Sequence, residues 1–105
     1  MNQQPLGVRQ CLTEASRITH HISNLNEAPM IQRMLSTLAS VNSTTPSNEL
    51  EKLRLEIDII MHSLPIVTSR KGYSLRTPLA QSSNEVARIC RQAKVAVVGL
   101  LGRRH

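Results

Sequence analysis

The sequence predicts an all-α fold, a small antiparallel bundle of about four amphipathic helices with a basic irregular connection before the last one. Three observations lead there. Apolar residues recur at steps of three and four in four separate segments, the spacing that stacks side chains on one face of an α-helix. Polar or proline-bearing stretches punctuate those segments. The hydrophobic residues, 40% of the chain, include no Phe, no Trp and a single Tyr, so the core is drawn from Leu, Ile, Val, Met and Ala, a palette that suits helix packing better than a sheet sandwich.

The first element, expected at about 6–25, places Val8, Cys11, Ala15, Ile18, Ile22 and Leu25 on one face, widened by Leu12, with Arg9, Arg17 and His20 opposite. Asn24 to Asn26 break it, and Pro29 suits the first turn of a second helix at about 29–41, because the amide hydrogen it lacks has no partner there in any case. Ile31, Met34, Leu35, Leu38 and Val41 form that stripe, and Asn42 to Asn48 read as a loop. Asn48 with Glu51 three residues on resembles a helix-start pair, and Glu49 and Glu51 suit the positive end of the helix dipole. The third helix, at about 48–64, carries Leu50, Leu53, Ile57, Ile60 and Leu64 and stops at Pro65, whose ring breaks the hydrogen-bond ladder. Residues 65–82 lack a sustained period, contain Gly72 and Pro78, and read as an irregular connection. Ser82 and Glu85 have capping-box spacing and open a fourth helix at about 83–101, with Val86, Ile89, Cys90, Ala93, Val97, Leu100 and Leu101 on its buried side.

At 105 residues and 11.7 kDa the chain is the size of a single domain, expected to span 1–105. Cys11 and Cys90 stand far apart in sequence, with no Cys-x-x-Cys and no His at metal-finger spacing, so a disulfide framework and a zinc site are both disfavoured and a reducing, intracellular compartment is the expectation. The first residues lack the apolar stretch of a secretory signal, and the longest apolar run, Val95 to Leu101 with Gly99 inside it, is far below the roughly 20 residues of a membrane-spanning helix.

The net charge of +6 is unevenly placed. Up to Leu64 there are five basic and six acidic residues, whereas from Pro65 onward eight basic residues face only Glu85. Within that second part, Arg70, Lys71, Tyr73 and Arg76 combine cations, the one aromatic ring and a flexible glycine, which suits gripping phosphates and stacking on an exposed base. Arg88, Arg91 and Lys94 follow at i, i+3 steps across the outer face of the last helix, and Arg103 and Arg104 close the chain. His20, His21 and His62 fall in no metal or catalytic pattern, since adjacent histidines project about 100° apart on a helix. No metal, cofactor or enzymatic activity is expected.

Four apolar residues fall outside the stripes: Leu55 and Ile59 on the third helix, Val95 and Val98 on the fourth. A central place in the bundle would cover the first pair, and a homo-oligomer interface would cover both. The run from Ile57-Asp58-Ile59-Ile60-Met61 through Arg70-Lys71-Gly72 to Val86-Ala87-Arg88 resembles helix–loop–helix pieces of vinculin and α-catenin bundles, over about a third of the chain. In size, basicity and helical character the chain also resembles the double-stranded-RNA-binding silencing suppressors of insect nodaviruses, with no diagnostic motif transferred. The functional expectation is a helical nucleic-acid-binding protein, RNA slightly preferred because no helix-turn-helix or zinc-finger signature offers a route into the DNA major groove. The alternative is a protein–protein adaptor or assembly factor whose basic half meets an acidic partner.

Overall fold

In the computed structural model, which describes residues 6–64 and 78–102, the chain forms α1 (Leu6–Arg17), α2 (Thr19–Ser23), α3 (Ala28–Ala39), α4 (Ser47–Ser63) and α5 (Pro78–Gly102), with no strand among the described residues. No helix among them is long and apolar enough to cross a membrane. The all-α bundle read from the sequence is the observed architecture.

The first expected helix is broken in two at Ile18, where the backbone leaves helical geometry at φ −108°, ψ 25° and the ladder tightens to an Ile18 N–H bond onto Ala15 O at 3.2 Å. The cause lies in hydroxyl residues whose side chains donate back to carbonyls a turn below. Thr13 Oγ1 bonds Arg9 O at 2.9 Å, Ser16 Oγ bonds Thr13 O at 2.7 Å, Thr19 Oγ1 bonds Ser16 O at 2.9 Å and Ser23 Oγ bonds Thr19 O at 3.0 Å. Such back-bonding competes with the helix ladder and bends it. Apolar periodicity could not show the break, because Ile18, Ile22 and Leu25 stay buried across it.

Three helix starts also differ in detail from the sequence reading. Pro29 does lie in the first turn of α3, which begins at Ala28. Helix α3 ends at Ala39, yet Val41 remains buried because i, i+3 bonds, Ser40 N–H to Thr37 O and Val41 N–H to Leu38 O at 3.1 Å each, continue the turn. The loop that follows is an Asx turn in which Asn42 Oδ1 accepts from Thr44 N–H at 2.8 Å. Helix α4 starts one residue before Asn48, with Pro46 in the cap position, and Glu51 turns along the helix to Arg54 instead of back to a cap. It ends at Leu64 in extended geometry, φ −65°, ψ 141°, as the following Pro65 requires. Helix α5 begins at Pro78, five residues ahead of the expected start, so part of the supposed 65–82 connection is helix; proline needs no amide partner in a first turn. Ser82 is therefore no cap. It is buried in the second turn, and its Oγ lies 3.0 Å from His21 Nδ1 on α2.

Helix α5 packs against α4, α1 and α2, while α3 packs against α4, α1 and α2 from the other side, so the four long helices close a ring in the order α1, α5, α4, α3. Contacts of Gly7 with Ala96, Cys11 with Ile89, Glu14 with Arg88 and His21 with Ser82 show α1 and α2 running antiparallel to α5. At the Gly7 end the approach is close enough that a Cβ on Gly7 would touch Ala96 Cβ at 3.4 Å, an ordinary contact. Every stripe residue named from periodicity is buried except Leu35, which is half-buried against the core with Leu12. Leu53 and Ile57 have at most 1% of their surface exposed. Substituting either by Ala should cost about 2–5 kcal/mol, read as a lowered denaturant midpoint; a loss below about half a kcal/mol would place that residue on the surface.

Candidate nucleic-acid interface

The last helix brings Arg88, Arg91 and Lys94 into one neighbourhood, but in three different electrostatic situations. Arg88 spans two carboxylates: its Nη1 donates to Glu14 on α1 at 2.6 Å and its Nη2 to Glu85 one turn earlier at 2.8 Å. Lys94 reaches the other way and donates to Asp58 on α4 at 2.8 Å, where Arg54 adds a second, longer approach at 3.7 Å. Arg91 is exposed and meets no carboxylate among the described residues. Two of the three cations expected to track a phosphate backbone thus tie α5 to its neighbours, and a phosphate there must compete with a carboxylate. The i, i+3 pairing of Glu85 with Arg88 was readable from sequence. Glu14 with Arg88 and Asp58 with Lys94 were not, since both depend on how the helices align.

The effect on the carboxylates is consistent. Hydrogen bonds from Arg88, then from the Gln92 side chain, hold the Glu14 carboxyl below its ordinary value, and the Lys94 hydrogen bond, helped by the charges of Lys94 and Arg54, does the same to Asp58. The described residues carry eight basic and seven acidic side chains, so the body of the bundle is close to neutral. The excess lies on Arg70, Lys71 and Arg76 in 65–77 and on Arg103 and Arg104 after α5, stretches with no acidic residue; these five and Tyr73 lie outside the described residues.

The four apolar outliers are all exposed: Leu55 at 53%, Ile59 at 55%, Val95 at 72% and Val98 at 45%. Helix α4 does have neighbours on two sides, α3 and α5, yet neither covers Leu55 or Ile59, so a central place in the bundle does not account for them. Between α1 and α5 an open groove of about 350 Å³ runs past Gly7, Gln10, Cys11, Gln92, Val95 and Ala96. Gln92 Oε1 is buried beside it, and it and Ser83 Oγ find no hydrogen-bond partner among the described residues.

Among the described residues no group of three His, Cys, Asp or Glu could hold a metal ion. The His20 and His21 rings lie 3.9 Å apart at 39°, with His21 half-buried by its contact to Ser82, and His62 Nδ1 sits 2.7 Å from Asp58 O on its own helix. Both cysteines are free and buried. Burial, with the Glu14 charge adding to it, pushes the Cys11 thiol up to about 11; burial and the neighbouring Cys11 push Cys90 up to about 12. Cys11 Sγ donates a weak 3.6 Å bond to Ile89 O, and at neutral pH both thiols are protonated and poor nucleophiles.

Two outcomes follow from these shifts. A carboxylate held below its ordinary value stabilises the fold fully above that value and loses its contribution as pH falls through the lower, folded value. The urea midpoint should therefore fall on acidification below the ordinary values, 4.5 for Glu14 and 3.8 for Asp58, and less steeply in Glu14→Gln; an identical acid profile in that variant would show the Arg88 contact to be energetically idle. Alkylation of Cys11 and Cys90 by iodoacetamide at neutral pH should be slow in native protein and fast in urea, and equal rates would place the thiols in solvent.

No protein-family model matches this chain, nor does any curated protein or solved structure, so a functional reading has to come from the arrangement of charge and apolar surface itself.

Proposed function

We propose that the chain binds a nucleic-acid backbone, RNA before DNA, through basic stretches that a nearly neutral helical bundle carries at the two ends of α5. The observation that supports this reading is the segregation of charge: eight bases against seven acids on the described residues, and five bases against none on 65–77 and 103–105. A solubility-driven excess would be spread over the helices, whereas clustered arginines and lysines without acids release counterions from a polyanion together. Helix α5, 25 residues and so roughly 37 Å long, puts the two points where these stretches join it about one turn of a B-form duplex apart. Arg91 adds a cation between them, and Arg88 and Lys94 join only by exchanging carboxylate for phosphate.

Binding of fluorescent duplex RNA, duplex DNA and single strands, titrated in salt, tests the reading. Replacing Arg70, Lys71 and Arg76 by Gln should weaken all sequences alike and flatten the logarithmic salt slope on a duplex by about 0.9 per lost phosphate contact. Tyr73→Ala should cost single strands more than duplexes, because stacking needs an exposed base. Unchanged nucleic-acid affinity in the triple variant, together with lost binding to an acidic polypeptide, would overturn the proposal in favour of an adaptor.

A further inference from the structure

Helices α4 and α5 are adjacent, and together they carry four of the large apolar side chains that the described residues leave exposed. Leu55 and Ile59, at i, i+4, form a strip on the outer face of α4, and Val95 and Val98, at i, i+3, form one on α5. The two helices differ in formal charge, although the Arg88 and Lys94 charges are paired within the chain. Helix α4 carries Glu49, Glu51, Glu56 and Asp58 against Lys52 and Arg54, whereas α5 carries Arg88, Arg91 and Lys94 against Glu85. The seam between them is closed by the Lys94 to Asp58 bridge.

We propose that this face is a two-fold self-association surface, in which Leu55 and Ile59 of one copy pack on Val95 and Val98 of a second copy, and the reverse. A two-fold interface requires a patch that complements itself under exchange of partners. Two adjacent helices that each carry an exposed apolar pair meet that requirement: every α4 strip faces an α5 strip, and Arg91, which meets no carboxylate among its own chain's described residues, comes opposite α4 of the second copy, where Glu49 and Glu56 have no ion pair among the described residues either. A strip of one sign on both helices would instead favour a different partner of opposite charge. The size is adequate. Two helices side by side, each about 10 Å wide over the roughly 25 Å of α4, give a projected footprint on the order of 500 Å², more as accessible surface, which is the scale of the roughly 800 Å² each partner gives a standard interface.

This inference does not depend on the nucleic-acid reading, and its test is run on the full chain without nucleic acid. Sedimentation equilibrium should give twice 11.7 kDa in the micromolar range. Ile59→Glu and Val95→Glu should each weaken association by about tenfold or more while leaving helicity and melting temperature unchanged. Val95 is 72% exposed, so its variant stays informative even if Ile59→Glu unfolds. Mixing Ile59→Cys chains with Val95→Cys chains should yield a cross-linked pair on mild oxidation, with little cross-linking of either alone. A monomer through the high micromolar range overturns the proposal, and cross-linking of Ile59→Cys chains to themselves alone overturns the pairing of α4 with α5.

Discussion

The bundle depends on burying the apolar stripe of α5, since α1, α2 and α4 all pack against that one helix. With no Phe or Trp in the chain, the core is an interdigitation of branched and unbranched aliphatic side chains, which must be kept in register by contacts at its edges. Those edges are polar. Arg88 reaches Glu14 on one flank of α5 and Lys94 reaches Asp58 on the other, while Ser82 meets His21 near the start of the helix. As partly exposed pairs they add little stability each, but they fix which turn of α5 faces which turn of α1 and α4.

The same pairs change the electrostatic character of the molecule. On sequence alone, the last helix looks like a ladder of cations; once folded, two of its rungs are spent within the bundle. Among the described residues of that helix Arg91 alone meets no carboxylate, and the sequence stretches before and after α5 carry five further cations without a single acid. Under the proposed reading, a polyanion would be held by those stretches through long-range attraction, leaving the α4 and α5 outer face for contacts of another kind.

What the sequence disclosed and what it withheld divide along physical lines. Helix positions and the buried faces were legible because burial imposes the period of 3.6 on residue choice, and every stripe member from Val8 to Leu101 lies buried or half-buried. That Leu55, Ile59, Val95 and Val98 fall outside the stripes was legible for the same reason, but the exposure of Leu55 and Ile59 was not, since a central place in the bundle would have covered them. The break at Ile18 was not, because it is made by hydroxyl groups of Thr13, Ser16 and Thr19 acting on the backbone while the apolar pattern runs on undisturbed. Nor was the role of Ser82, whose spacing to Glu85 is that of a cap but whose partner, His21 on α2, is set by how the helices align. Of the candidate binding residues, only the three on α5 could be placed, and two of those have carboxylate neighbours that are remote in sequence.

The hydroxyls along α1 and α2 have a chemical consequence beyond the bend. Thr13, Ser16, Thr19 and Ser23 each commit their single proton to a carbonyl of their own chain, as Thr37 and Ser40 do at the end of α3. What such a group still offers to its surroundings is lone pairs. These hydroxyls can accept hydrogen bonds from water or from amides, but they have no proton left to give a phosphate or carboxylate oxygen. They are wettable groups that offer nothing to an anion, so on these helices any anion contact falls to the arginine, histidine and amide side chains among them.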